Sequence, residues 1–296
     1  MLPIEKGNGE AVVKIMVTGS TGQLGTELQK LSASYPAFDY IFLSEDDLSI
    51  LDFETVRHFF NIQKPHFLVN CAAYTAVDKA ESDKEIAYKV NADAVGFLAA
   101  ICNEFNTRFI HISTDYVFDG TASVPYKTDD KTNPQSVYGA SKLEGERLAF
   151  YNNPGTILLR TSWVYSEFGN NFVKTMKKLM GERDMLNVVN DQVGSPTYAA
   201  DLAEVIMEII SSGKFEAGIY HYTNEGVINW FDFAVAIKEL IGSTCKINPI
   251  PTSQYPTPAK RPAYSALDKS KITLVYNIKL KDWKTSLSTC ISLLTK

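Results

Sequence analysis

Three residues of this chain carry side chains that could together place a proton on a carbonyl oxygen. Tyr138 and Lys142 stand four residues apart in SVYGASK, and Thr114 lies upstream in HISTDYVFDG. In a helix this spacing puts the phenol and the ammonium on one face. A nearby ammonium favours the phenolate and lowers a phenol pKa from its ordinary value of about 10. A hydroxyl can hydrogen-bond the substrate oxygen as charge develops on it, so the set predicts general acid chemistry on a ketone.

The Tyr-x-x-x-Lys spacing by itself is weak evidence for catalysis. Tyr138 is the only one of the 15 tyrosines that has Lys or Arg four residues later. Random placement in a chain of this composition would give roughly one such match. The position of Tyr138 is more informative, because it opens a helical pattern just after the loop that follows the fourth predicted strand.

A glycine loop upstream predicts a binding site for a dinucleotide. Gly19, Gly22 and Gly25 stand in TGSTGQLG (18–25), after an apolar run and before a helical pattern. The first glycine permits a tight turn, the second lets backbone amides approach a pyrophosphate, and the third allows close packing of the helix. The helix N-terminus adds partial positive charge. At the end of the second strand, where an acid would bind the adenine ribose, Ser44 is followed by Glu45, which leaves the choice between NADH and NADPH open.

The elements that position these residues alternate between short apolar runs and helical patterns. This alternation predicts an α/β fold with a doubly wound parallel (Rossmann) sheet, and the mixed pattern after residue 160 predicts a smaller mixed α/β substrate-binding lobe. Residues 247–262 contain five prolines, which exclude an interior helix there. The predicted strands are 14–18, 40–43, 66–70, 108–113 and 156–160, and the predicted helices are 23–31, 53–61, 84–105, 138–151, 170–182, 197–212 and 230–242. The predicted organisation is a flexible extension over 1–13, a dinucleotide-binding domain over 14–165 to which segments near 190–222 return, and a substrate lobe over 166–296.

Composition excludes several classes of protein. The 296 residues include 29 Lys and Arg against 34 Asp and Glu, a net charge of −5 with no basic run, so nucleic acid is not an expected partner. No apolar stretch is long enough to span a membrane and none resembles a signal peptide, so we expect a cytoplasmic protein. The four cysteines form no C-x-x-C pair and are expected to be reduced and mostly buried. His111 is expected to be a strand residue.

Taken together, these segments resemble the extended short-chain dehydrogenase/reductase family and, within it, the dTDP-4-dehydrorhamnose reductases. The glycine loop and YGASK (138–142) are common to the wider family, whereas four further segments are more specific: NCAAYTAVDKAE (70–81), RTSWVY (160–165), NDQVGSPT (190–197) and PTPAKRPAYSAL (256–267). The resemblance covers roughly residues 14 to 290. It implies NAD(P)H-dependent reduction of the C4 ketone of dTDP-4-dehydro-6-deoxy-L-mannose to dTDP-L-rhamnose, a step in the synthesis of this nucleotide sugar.

The resemblance also implies roles for individual residues. The catalytic group would be Thr114, Tyr138 and Lys142, with Tyr138 as proton donor. The cofactor-binding residues would be Gly19, Gly22, Gln23, Leu24, Gly25, Asp47, Leu48, Ala73, Tyr74, Thr75 and Lys142. The substrate-binding residues would be Val77, Thr114, Asp115, Tyr116, Trp163, Asn190 and Arg261. Some members hold Mg²⁺ between subunits. Glu27 matches one position of the metal ligands, but Ala200 stands at the other. The sequence therefore leaves open whether Mg²⁺ is bound and whether the protein is a monomer or a homodimer.

Two other functions fit the same residues. One is a different nucleotide-sugar ketoreductase, dehydratase or epimerase of this fold, although a dehydratase needs an acid pair where Thr114 and Asp115 offer one acid. The other is a non-catalytic regulatory subunit, like the partner of methionine adenosyltransferase that resembles these reductases. Retention of Tyr138 and Lys142 favours an enzyme.

Overall fold

The computed structural model describes residues 12–295. The strands are β1 Val13–Thr18, β2 Phe38–Leu43, β3 Phe67–Asn70, β4 Arg108–Thr114, β5 Ile157–Thr161, β6 Val164–Tyr165, β7 Met185–Val189, β8 Val193–Gly194, β9 Thr197–Tyr198, β10 Gly218–His221, β11 Ile228–Asn229 and β12 Lys246–Ile250. The α-helices are α1 Gln23–Leu31, α2 Phe53–Gln63, α3 Lys84–Tyr88, α4 Ala94–Glu104, α5 Val137–Asn152, α6 Phe172–Glu182, α7 Ala199–Ser211, α8 Trp230–Ile241, α9 Ser270–Tyr276 and α10 Trp283–Leu294.

Six of the strands form one parallel sheet in the order β2-β1-β3-β4-β5-β10. The chain winds outward from β1 in both directions, so the fold class predicted from the sequence is confirmed. The order reverses between β1 and β3, and in such sheets ligands bind outside the carboxyl ends of the strands at this switch point. The glycine loop that follows β1 therefore opens where a ligand is expected.

Both faces of the sheet are covered by helices because the strands are apolar on both sides. Ile15 and Val17 of β1 pack into a core with α1 and α7, whereas Met16, which points the opposite way, packs into a second core with α2 and α4. This two-sided burial explains the continuous apolar runs in the sequence.

A smaller group of elements has its own core. The parallel pair β7 and β12 packs with α6, α8 and α10 around Phe233, Leu287 and Trp283. The proline-rich segment contributes β12 at its start and a short 3₁₀ turn, Thr252–Gln254, but no α-helix. Pro249 is tolerated because β12 pairs with one strand only in the described structure.

Most observed bounds differ from the predicted ones by one or two residues, and the helix predicted over 197–212 begins only at Ala199, after β9. The largest difference concerns one helix. The predicted helix over 84–105 is interrupted by a π-helical turn, Lys89–Asp93, between α3 and α4. Inside this turn the buried side chain of Asn91 accepts a hydrogen bond from the Tyr74 N–H and donates to the Tyr74 carbonyl, a tertiary contact that helical periodicity does not reveal. The predicted N-terminal extension lies mostly outside the described residues, and β1 already begins at Val13.

Among residues 12–295, none of the helices is both long enough and apolar enough to cross a membrane. The four cysteines are free thiols, and Cys102, Cys245 and Cys290 are buried, as expected.

Candidate active site

The glycine loop is held tightly against the neighbouring strand. Gly19 has a φ of +68°, and a Cβ there would lie 2.6 Å from the backbone nitrogen of Ala72, after β3. A Cβ on Gly25 would lie 2.3 Å from the Gly19 carbonyl oxygen. Gly22 precedes α1 and brings no side chain to cap it, so the N-terminus of the helix is open to an anion. The loop thus fits a dinucleotide pyrophosphate.

Gln23 and Leu24 have different surroundings although both follow the glycine loop. The Gln23 side chain accepts a hydrogen bond from Asn171 at 2.9 Å and so connects α1 to the start of α6. The Leu24 side chain is buried in the core, which leaves only its backbone for a ligand.

The end of β2 carries a carboxylate that folds back onto the strand. Asp47 accepts hydrogen bonds from the Ser44 N–H at 2.9 Å and from the Ser44 hydroxyl at 2.6 Å. These bonds, the hydroxyl first, lower the pKa of Asp47. Leu48 is buried in the core beneath. A carboxylate thus lies close to the end of β2, although Ser44 itself is not an acid.

The segment after β3 lines the space above the switch point. Ala73 and Tyr74 are half-buried, Thr75 is exposed, and Val77 is half-buried. Asn91 fixes the Tyr74 backbone, and the Tyr74 hydroxyl donates to Asp83 at 3.1 Å.

Thr114 and Asp115 end β4 and begin a short 3₁₀ turn, Asp115–Val117. The Thr114 hydroxyl caps this turn by accepting from the Tyr116 N–H at 3.2 Å, and it donates to Asp115 at 3.0 Å. Burial raises the pKa of Asp115 to about 6, while the hydroxyls of Ser265 and Thr114 act in the opposite direction. The second carboxylate oxygen of Asp115 is buried and has no partner among the described residues.

Tyr138 and Lys142 lie on the first turns of α5, whose N-cap is Ser136. The half-buried ring of Tyr138 packs edge-on against Tyr116, with centroids 5.5 Å apart. The Lys142 amine is buried and donates to the Ile112 carbonyl at 2.6 Å. The catalytic hydroxyl, phenol and amine predicted from sequence thus meet beside the carboxyl end of β4.

The ionisation of this pair differs from the sequence expectation. Burial raises the pKa of Tyr138 to about 12, although the Thr114 hydroxyl acts in the opposite direction. Burial also lowers the pKa of Lys142 to about 8, while Glu146 and Cys71 act to raise it. The expectation of a phenol pKa below its ordinary value is wrong for this structure, because burial of the phenol is the largest influence on the pKa of Tyr138.

Arg261 reaches the site from the proline-rich segment. Its Nη2 donates to Asp78 at 2.7 Å, and its Nη1 is buried without a partner among the described residues. The guanidinium also lies near Tyr116, where it acts to lower the phenol pKa against burial.

The remaining residues predicted to bind substrate, Trp163 and Asn190, have different surroundings. Trp163 has a φ of +49° and stacks on Trp230, with ring centroids 3.6 Å apart. Gly194 lets this ring approach, since a Cβ there would lie 2.9 Å from the indole. Asn190 is exposed, and its backbone N–H donates to Ile250; no side-chain contact of Asn190 with the catalytic group is observed among the described residues.

Glu27 lies in a different place from the catalytic group. It lines a pocket of about 500 Å³ together with Lys30, Tyr198 and Ala200. Burial raises the pKa of Glu27 to about 7, although the Ser166 hydroxyl, at 2.7 Å, lowers it. Within residues 12–295 no group of three or more His, Cys, Asp or Glu side chains is arranged to hold a metal ion.

Comparison with known proteins identifies the family. The model of the RmlD substrate binding domain matches residues 13–296. This chain belongs to the dTDP-4-dehydrorhamnose reductase family. A relative from Aggregatibacter actinomycetemcomitans, dTDP-4-dehydrorhamnose reductase, is 42% identical over 286 residues, which cover 93% of this chain and 97% of the relative.

Solved structures agree with this membership. The dTDP-4-dehydrorhamnose reductase of Clostridium acetobutylicum is 44% identical with a TM-score of 0.92, over 96% of this chain and 100% of that one. The Bacillus anthracis enzyme, solved in complex with NADP, is 34% identical with a TM-score of 0.91 over the same shares of the two chains. The expectation of an NAD(P)H-dependent oxidoreductase is confirmed.

Four residues that sequence reasoning did not assign contribute to the site. Asp78 pairs with Arg261, Ser265 acts to lower the pKa of Asp115, Trp230 stacks on Trp163, and His111 contacts Lys142. Asp78 and Ser265 lie within segments that carry the family resemblance. Trp230 and His111 carry no such signal, because their contacts join distant parts of the chain.

Proposed function

We propose that this chain reduces the C4 ketone of dTDP-4-dehydro-6-deoxy-L-mannose to dTDP-L-rhamnose, with Tyr138 as the proton donor. The observation that supports this best is the meeting of Tyr138, Thr114 and Lys142 at the carboxyl edge of the sheet, beside the glycine loop. When bound there, NADPH or NADH supplies the hydride. Gly19, Gly22 and Gly25 hold its pyrophosphate, and Ala73, Tyr74 and Thr75 line its middle.

The proton comes from the chain itself. A phenol whose pKa is raised to about 12 is fully protonated at neutral pH, as a general acid must be before the reaction. The Thr114 hydroxyl, at the last residue of β4, hydrogen-bonds the developing oxyanion. Lys142 in its charged form stabilises the phenolate left after transfer.

The polar groups around this centre suit a nucleotide sugar. The unpaired Nη1 of Arg261 and the unpaired oxygen of Asp115 are buried polar atoms that a ligand would satisfy. A guanidinium matches diphosphate oxygens, and a carboxylate oxygen without a partner can accept a hydrogen bond from a sugar hydroxyl. Trp163, held flat by Trp230, offers an apolar wall to a deoxysugar or a base. Val77, Tyr116 and Asn190 complete the proposed substrate site.

The substrate is tested by supplying the purified chain with the dTDP ketosugar and NADPH or NADH, following absorbance and identifying the product. Turnover to dTDP-L-rhamnose supports the proposal. Good turnover of a different nucleotide ketosugar, with none of this one, would reassign the substrate. Loss of water without net cofactor oxidation would indicate a dehydratase, and no turnover of any ketosugar would favour a regulatory subunit.

The cofactor preference is tested in the same assay. Ser44 tolerates a 2′-phosphate, but the Asp47 carboxylate bonded to it would repel one, so we expect use of both cofactors. A strict preference of ~10³-fold corresponds to about 4 kcal/mol. Such a preference in kcat/KM would contradict dual use.

A further inference from the structure

His111 lies completely buried in β4, between the end of β3 and the catalytic helix α5. Its Nδ1 is 3.1 Å from Nδ2 of Asn70, and its Nε2 is 3.3 Å from Nζ of Lys142. The Asn70 amide oxygen in turn accepts from the Thr18 hydroxyl at 2.7 Å. A chain of buried contacts therefore runs from the glycine loop's strand to the amine of Lys142.

The hydrogen-bond directions in this chain determine where the imidazole proton lies. The Ala72 backbone N–H, which can only donate, points at Oδ1 of Asn70 at 3.2 Å. This contact fixes the orientation of the amide, so Nδ2 of Asn70 must donate to Nδ1 of His111. Burial and the charge of Lys142 lower the pKa of His111 well below its ordinary value, and the ring is neutral. A neutral ring that accepts at Nδ1 carries its proton on Nε2.

The proton on Nε2 faces the nitrogen of Lys142. An ammonium has three donors and no acceptor, so it cannot receive this hydrogen, whereas a free amine can receive it through its lone pair. The Ile112 carbonyl accepts from Nζ in either state and keeps the amine in place. The other titratable groups that influence Lys142, Glu146 and Cys71, act in the opposite direction and favour the ammonium.

We propose that His111 is a positioning residue that presents its Nε2–H to Lys142, favours the uncharged amine, and so sets the pH at which Lys142 changes its charge. The inference rests on the proposed function, in which Lys142 in its charged form assists Tyr138. Asn70, oriented by the Ala72 N–H, keeps the proton of His111 on Nε2. As a consequence, Lys142 loses its charge, and Tyr138 its assistance, just above neutral pH.

The tautomer can be measured directly in the unsubstituted protein. The chain has only four histidines, so long-range ¹H–¹⁵N spectra of the ¹⁵N-labelled protein resolve each ring, and the signals lost in His111→Gln assign His111. We expect a neutral ring protonated on Nε2 throughout the neutral range. A ring protonated on Nδ1, or one that is doubly protonated at pH 7, would overturn the proposal.

The effect on Lys142 is measured in the same variant. The Gln side chain can turn its carbonyl oxygen toward Nζ and so replace a donor with an acceptor. The pKa of Lys142, followed through its ¹⁵Nζ resonance and assigned with Lys142→Met, should rise by about one pH unit in His111→Gln. His58→Gln, on the exposed face of α2, is the control and should leave it unchanged. An unchanged or lower pKa in His111→Gln would contradict the proposal. If that variant does not fold, the His111 ring is assigned by elimination, from the signals lost when each of the other three histidines is replaced, and the tautomer then judges the proposal.

The two proposals can fail separately. Both spectra are recorded without substrate, so they judge His111 whatever reaction the chain catalyses. If the ketosugar is reduced, the high-pH limb of kcat/KM should shift upward in His111→Gln with the pKa of Lys142. A higher pKa of Lys142 together with an unchanged high-pH limb of kcat/KM would show that His111 sets the pKa of Lys142, but that catalysis does not use the charge of Lys142 as proposed.

Discussion

Replacing Tyr138 by Phe removes one hydroxyl from the centre of the proposed site and little else. The ring that packs edge-on against Tyr116 is retained, and the helix cap at Ser136 is not touched. Loss of one hydrogen bond made by a hydroxyl lowers the free energy of unfolding by about 1 kcal/mol. The variant should therefore fold and should bind NADPH with nearly unchanged affinity.

The expected loss is in the chemical step. Loss of a general acid typically lowers a rate by ~10²–10⁴-fold, which corresponds to about 3–5 kcal/mol of the activation barrier. Burial keeps the phenol protonated up to a pKa of about 12, so at neutral pH the whole population of wild-type enzyme carries the proton that the variant lacks. The loss should accordingly be independent of pH between 6 and 7, where Lys142, whose pKa burial lowers to about 8, is still mostly charged.

Substitutions of Lys142 and Thr114 rank the contributions of the three side chains to the rate. Lys142→Met removes the charge that stabilises the phenolate and should be at least as damaging as Tyr138→Phe. Thr114→Val should retain the most activity, because water or the phenol can still bond the oxyanion. It also removes the cap on the Tyr116 N–H, so its unfolding free energy should fall by about 1 kcal/mol.

The assay is kcat at saturating ketosugar and NADPH, with cofactor affinity measured separately by fluorescence. Tyr151→Phe is the matched control: the same hydroxyl is deleted from the same helix, at a position 84% exposed, and kcat should not change. A folded Tyr138→Phe protein that binds NADPH and retains wild-type kcat would refute the assignment of the proton donor.

Three further predictions follow from other parts of the site. Trp163→Ala should raise KM for the sugar by an amount equivalent to about 1–3 kcal/mol while NADPH affinity is kept; an unchanged KM would contradict the stacking role. Burial raises the pKa of Asp115 from 3.8 to about 6, so the folded state holds a proton that the unfolded chain releases, and stability falls as pH rises from about 4 through 6. The change in unfolding free energy caused by Asp115→Asn should therefore be more favourable at pH 7 than at pH 4 by about 1–3 kcal/mol. Urea unfolding of the variant and the wild type at both pH values measures this, and the same change at both pH values would contradict it. Gly25→Ala should weaken NADPH binding at least ~10-fold, because the new Cβ would collide with the glycine loop; Gly181→Ala, with nothing within 4 Å of its Cβ, should keep binding and gain about 0.5–1 kcal/mol in stability.

Local pattern was sufficient for the fold class, and it singled out three candidate catalytic residues whose roles stay predictions. The apolar runs around β1, β3 and β4 identify buried parallel strands because both faces of each strand are apolar, and that property is written in consecutive residues. Gly25 is required by backbone contacts within the same turn, whereas Gly19 is required by its close approach to Ala72 after β3. Tyr138 and Lys142 share one helical face, which their spacing in the sequence shows. Chemistry of this kind depends on residues close together in the chain.

The protonation of those residues was decided only by the tertiary structure. The phenol of Tyr138 has a raised pKa and the amine of Lys142 a lowered one because strands and loops far away in the chain exclude water from both. The proton on His111 is fixed by an amide 41 residues away, and Arg261 meets Asp78 across 183 residues. Desolvation and hydrogen-bond direction depend on every group that surrounds a side chain, and this surrounding exists only once the chain has folded.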